Sequence, residues 1–335
     1  MRGSFVKALI ESQNEAWKPA LAQAETLKFP GPYLFIGSGT SYYLAQVAAA
    51  FGERFGLKVS ARPTQDIILE PSIVLKDVST VVVISRSGTT SEALWAMKQT
   101  RTLGKNVIAV TCVASSSLAL SADQCLVSPE GDDDTVVMIR SFSSMLLLLQ
   151  ASIQLTMNGT HHMGELAREF ETVLEESKSV GKLFESSPPT RLYILGSGVR
   201  YGIAQEGALK AQEMSGQYAI AFHSLEFRHG PWGSVSADDA VVILGQSSMA
   251  THETNLASQL LQRTPNVIVV AQRSWQATGA LPVKFIPLPS NLDDLGLGPL
   301  AEVPLQWFAW MWSIQVGRNP DVPNNITKVV ELHYE

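Results

Sequence analysis

The stretch GSGTSYYLAQVAAA (Gly37–Ala50) returns as GSGVRYGIAQEGAL (Gly196–Leu209), an offset of 159 from 37 to 196. Gly, Ser, Gly, Tyr, Ala, Gln and Ala recur in register. Two further pairs keep nearly the same spacing. STVVVISRSG (79–88) answers to DAVVILGQSS (239–248) and KNVIAVTC (105–112) to PNVIVVAQ (265–272), both offset by 160, from 79 to 239 and from 105 to 265. Three matched segments at almost one spacing mark a duplicated domain. The copies are expected over roughly residues 30–157 and 188–318.

Within each copy, β-branched runs alternate with helical patterns. YLFIGSG, TVVVIS and NVIAVTC read as strands, with helices following from about Ser41 and Ser91. Strands apolar on both faces and separated by helices predict an α/β fold: two tandem three-layer α/β/α domains, each with a mainly parallel sheet. Ligands in such folds sit at the carboxyl ends of the strands. Outside the copies, residues 1–29 predict an amphipathic N-terminal helix and no signal peptide. Residues 158–187 predict a charged linker helix ending in ESSPPT, and 319–335 an ordered tail with three breakers.

Apolar residues make up 45% of the 335 positions, charged ones 17%, and the formal net charge is −6. That balance argues against a nucleic acid partner, which requires a basic face. It leaves room for a small phosphate ester, because a few N–H groups and hydroxyls decide that locally. The longest strongly apolar run, Met145–Leu149, is too short to span a bilayer, so no membrane partner is expected. Cys112 and Cys125 lack CxxC spacing, and the expectation is structural thiols in a reduced, cytoplasmic setting.

In VVVISRSGTTSEAL (81–94) the chain leaves a strand through Ser85, Ser87, Thr89 and Thr90, with Gly88 easing the turn. Hydroxyls, exposed N–H groups and a helix N-terminus are the materials of an anion cradle, whereas an ordinary N-cap needs one hydroxyl. Ser41, on the turn after the neighbouring strand, is placed to close it. Gly37-Ser-Gly39 opens like a dinucleotide turn, but Tyr42 and Tyr201 occupy the third glycine position, so no dinucleotide cofactor is expected.

The second copy diverges at the same turn, GQSSMATHE replacing SRSGTTSE, and carries a row of its own. Glu206, Lys210 and Glu213 fall at i, i+4 and i+7 on one helix face. Alone that is a surface ion-pair ladder; on the helix that starts at the Gly-rich turn it reads as acid–base machinery. His229, ahead of Gly230-Pro231, suits proton transfer near neutral pH. The combination points to acid–base chemistry on a phosphorylated small molecule. With neither HxH nor HExxH present, no metal is expected, and His161-His162 and Asp132–Asp134 read as solvated loop and turn. Trp307, Trp310 and Trp312 read as core or dimer interface.

GSGTSY, ISRSGTTSE, EGALKAQE, EFRHGP and NNITKVVE, in this order, resemble the sugar isomerase (SIS) domain family. The nearest resemblance is to its tandem-domain members: the isomerase half of glutamine–fructose-6-phosphate aminotransferase, SIS-type glucosamine-6-phosphate deaminases and fructosamine-phosphate deglycases. The resemblance implies a sugar phosphate held by Ser41, Ser85, Arg86, Ser87 and Thr90, with Arg86 where glutamine is commoner. It implies that Glu213 moves a proton between C1 and C2, with Lys210 in support. It implies that Lys328 meets the open-chain carbonyl, and that His229 opens the ring from the partner subunit of a homodimer. No cofactor or metal is implied.

Departures narrow the expectation. The sequence opens at MRGS without a glutaminase domain, so glutamine is not the expected nitrogen source. Asn324 stands where aminotransferases carry an arginine, and Met138 where a sugar-contacting serine would lie. The leading expectation is a deaminase/isomerase converting glucosamine 6-phosphate, or a close relative, to fructose 6-phosphate and ammonia. A fructosamine-6-phosphate deglycase and a non-catalytic sugar-phosphate sensor are the alternatives.

Overall fold

The computed structural model describes residues 2–276, 281–330 and 332. Packing divides the chain into two units. The first comprises Ser12–Ala167 with the tail from Thr327 on, and the second Arg168–Ile326 with the N-terminal segment through Glu11, which holds helix α1 (Ser4–Glu11).

Apolar runs buried along their length become the inner strands of the first unit. These are β1 (Tyr33–Gly37), β3 (Thr80–Ile84) and β4 (Asn106–Thr111), flanked by β2 (Val59–Pro63) and β5 (Gln124–Val127). All pair in parallel, in the order β2-β1-β3-β4-β5. The longest helices are α2 (Thr40–Arg54), α3 (Ser91–Thr102) and α4 (Arg140–Asn158). Leu34, Ile36, Val81 and Val83 pack with Ala93, Ala96 and Met97 of α3. The pleat turns Phe35 and Val82, both fully buried, to the opposite face. Sequence reading identified the inner strands. It missed β2 and β5, which alternate in burial, β2 ending in a proline that only an edge tolerates.

The second unit repeats the plan. Helix α5 (Leu166–Ser186) leads into β6 (Arg191–Leu195), α6 (Val199–Ser215), β7 (Tyr218–Phe222), β8 (Ala240–Leu244), α7 (Ala250–Leu260), β9 (Val267–Gln272), β10 (Lys284–Leu288) and α8 (Gly298–Gln315). The parallel order β10-β9-β8-β6-β7 is that of the first sheet. Helix α8 lies against α6 so closely that a Cβ on Gly207 would sit 2.3 Å from Leu305 Cδ1. The aromatic run of α8 is core. Trp307, Phe308 and Trp312 are buried, Phe184 of α5 stacks on Phe308 with centroids 4.9 Å apart, and Trp310 Nε1 donates to the Gly3 carbonyl at 2.8 Å. Among the described residues no helix is long and apolar enough to cross a membrane.

Candidate active site

In the first unit, β3 ends at Ile84 and the chain turns at once into α3. The Ser85 and Thr90 hydroxyls meet across this turn at 3.2 Å, and Gly88 N–H donates to Ser85 Oγ at 3.2 Å. Thr89 N–H donates to Ser87 Oγ at 3.2 Å, and Thr89 Oγ1 lies 3.1 Å from the same oxygen. Gly88 has φ +64°, and a Cβ there would stand 2.1 Å from Ser116 Oγ, so only glycine fits. Ser41 stands in the first turn of α2, which follows β1, the strand paired with β3. These hydroxyls, the turn's amides and the start of α3 converge on one sheet end with the chemistry an anion needs.

Arg86 belongs to this turn but turns its guanidinium away from the hydroxyls. It is buried and donates to the Thr135, Val136 and Lys328 carbonyls at 3.1, 3.2 and 3.0 Å. Arg86 thereby fastens the tail to the cradle. The tail also receives Ser91 N–H at the Val330 carbonyl, 3.3 Å, and Leu332 N–H donates to Ser91 Oγ at 2.9 Å. The Lys328 ammonium donates to the Asp133 carbonyl and lies 3.5 and 3.8 Å from Asp132 and Asp134. Asp133 accepts from Thr135, and burial still raises its carboxyl above the usual range. The acidic run is therefore a dock for the tail lysine, not merely a solvated turn, and no metal-holding group of acids, histidines or cysteines occurs among the described residues.

In the second unit the row on α6 is no surface ladder. Lys210 and Glu206 are fully buried, 3.3 Å apart, and Lys210 Nζ also bonds the Glu213 carboxylate, which keeps one face towards solvent. Burial pushes the Lys210 ammonium down, and the two carboxylates more than reverse this, so it stays charged. Glu213 lines a cavity of about 230 Å³ with Arg318, Asn319, Asn324 and Asn325. His229 stands on the exposed loop after β7, its imidazole without a hydrogen-bond partner among the described residues.

The second unit's own counterpart of the cradle is filled. Arg200 stands where Ser41 does, and Gly245 and Ala250 replace Ser85 and Thr90. The Arg200 guanidinium, fully buried, donates to Asp294 Oδ1 at 2.8 Å, and Ser247 N–H donates to Asp294 Oδ2 at 3.0 Å. Gln246 N–H and Trp275 Nε1 donate to Glu253 Oε2 at 3.0 Å each, with Ser224 Oγ 3.2 Å from Oε1. The amides an anion would take are bonded to the protein's own carboxylates. Sequence reading noted the divergence and missed Asp294, which lies 94 residues from Arg200.

The chain is similar to several known proteins. It is 27% identical over 312 residues to glutamine–fructose-6-phosphate aminotransferase of Clostridium acetobutylicum, covering 89% of this chain and 51% of that protein. Against the Aeropyrum pernix aminotransferase it is 28% identical over 342 residues, covering 94% and 53%. The chain thus spans about half the length of these relatives. Among solved structures, glucosamine-6-phosphate deaminase from Thermotoga maritima superposes with a TM-score of 0.85 at 25% identity, covering 98% of each chain. Tagatose-6-phosphate ketose/aldose isomerase from Escherichia coli shares the fold, with a TM-score of 0.73 at 24% identity over 99% of this chain and 92% of that one. The SIS domain pattern itself matches twice, over residues 32–155 and 186–281, one match in each copy of the repeat, and the chain belongs to the SIS domain family.

Proposed function

We propose that this protein is an amino-sugar-phosphate deaminase/isomerase, acting on glucosamine 6-phosphate or a close relative. The observation that carries the reading is Glu213: a carboxylate held by a buried lysine and open to a cavity is a base with a fixed aim. In this reading Ser41, Ser85, Ser87 and Thr90 bind the phosphate, and Arg86 holds the turn and the tail in shape. His229 moves the proton that opens the sugar ring, supplied by the partner subunit of a homodimer. Glu213 removes the C2 proton of the open-chain aldehyde and returns it to C1. The resulting C2 imine takes up water and releases ammonia, leaving the ketose. Lys210 steadies the Glu213 carboxylate, and Lys328 exchanges its aspartates for the developing charge on the carbonyl oxygen.

Ammonia and fructose 6-phosphate are measured together from glucosamine 6-phosphate. Equal release of both is expected, abolished in Glu213→Gln with sugar-phosphate binding kept within a few fold. Binding without product redirects the reading to a deglycase, tested with amine-linked fructose 6-phosphates, or to a sensor if those are inert too. An active monomer by size measurement removes His229 from a shared site.

A further inference from the structure

Helix α8 carries one side chain that its apolar sequence does not call for. Glu302 sits among buried Leu300, Ala301, Val303 and Leu305 and is itself 0% exposed. Neither of its carboxyl oxygens has a hydrogen-bond partner among the described residues. Helix α8 lies directly against α6, and the charges that act on Glu302 are those of Glu206 and Lys210. One ammonium there already serves two carboxylates, Glu206 and Glu213. A third carboxylate in this dry interior, with no donor of its own, is strongly disfavoured; a neutral carboxylic acid avoids most of that penalty. Burial, reinforced by Glu206 and opposed by Lys210, raises the Glu302 carboxyl well above its ordinary range. Other charged groups on elements packed against α8 are engaged elsewhere. Lys7 and Lys178 lie over the Trp307 ring at 5.7 and 5.6 Å, Glu11 bonds both lysines, and Asp294 is held by Arg200.

We propose that Glu302 is a positioning residue that carries a proton at neutral pH, so that Lys210 serves only Glu206 and Glu213 and the Glu213 carboxylate stays fixed. The inference rests on the reading of Glu213 as the base. When Glu302 ionises at higher pH, a third carboxylate competes for Lys210 and Glu213 loses its orienting partner. The alkaline fall in kcat then belongs to Glu302. The linkage has a definite sign. For an acid whose folded pKa is raised, stability is whole below the unfolded value and is lost as pH climbs towards the folded one.

Glu302→Gln imitates the protonated acid and tests this. In the parent at neutral pH, an infrared C=O band of a protonated carboxyl is expected, missing from Glu302→Gln. The variant's advantage in melting temperature should grow with pH above the ordinary carboxyl range. Its kcat should stay within about twofold of the parent at neutral pH, with the alkaline fall moved upwards and KM little changed. The Glu213 carboxylate band, assigned with Glu213→Gln, should shift on alkaline titration in the parent and stay in place in Glu302→Gln. A parent without the protonated-carboxyl band, or parallel melting curves, overturns the proposal. Coincident alkaline limbs, or a Glu213 band that moves alike in both, overturns the positioning role. Failure of turnover in both proteins bears on the deaminase reading alone, because the infrared and melting measurements need no substrate.

Discussion

The two copies of the repeat meet the same electrostatic problem at the same turn and solve it oppositely. In each, a parallel strand ends in amides at the start of a helix, a place that favours negative charge. In the proposed function the first unit lines that place with Ser41, Ser85, Ser87 and Thr90 for the substrate phosphate. The second replaces three of the four and fills it from within, Asp294 taking the Arg200 guanidinium and the Ser247 amide while Glu253 takes the Gln246 amide. In that reading a binding site and a structural joint are alternative occupancies of one geometry, one copy holding a ligand and the other holding itself.

The contrast breaks most visibly at Asp294. Asp294→Ala strands a buried guanidinium, and a loss of about 3–5 kcal/mol is expected in denaturant unfolding. Sulfate or phosphate should restore part of it selectively in the variant, by entering the emptied place; equal stabilisation of parent and variant would sink the equivalence of the two sites. Gly88→Ala acts on the open copy. The left-handed turn and the contact with Ser116 put the cost at about 1–3 kcal/mol, with sugar-phosphate binding by calorimetry falling in step. Thr90→Ala should leave melting nearly unchanged yet weaken phosphate binding by about 0.5–1.5 kcal/mol, roughly 2- to 13-fold. The smallest effect is expected in the filled copy: Ser247→Ala loses only bonds to Gln272 and Ser274, so melting moves slightly and ligand affinity not at all.

What the sequence disclosed follows from how far each signal reaches along the chain. Strands β1, β3 and β4 are buried on both faces, so their composition alone declares them. The edges β2 and β5 are half exposed, and their pattern is diluted to ordinary loop chemistry. The row Glu206, Lys210, Glu213 was visible because helical spacing is local; its burial was not, because that depends on α8 about ninety residues on. The cradle hydroxyls were legible as a run. The direction of Arg86 was not, since its acceptors come from Thr135 and Val136 and from a tail 242 residues away. The Asp132–Asp134 run looked solvated for the same reason, its lysine arriving from 195 residues downstream.

The division of the chain has a consequence for anyone who would take the duplication apart. Helix α1 belongs to the second unit, while the tail from Thr327 belongs to the first. A single cut near residue 165 would not yield two self-sufficient halves. The leading fragment would keep a helix it has no use for and lack Lys328; the trailing fragment would keep that lysine and lose the helix that seats on Trp310. Each copy is finished by sequence encoded at the far end of the other. Removing either terminal segment would take a piece from the opposite half.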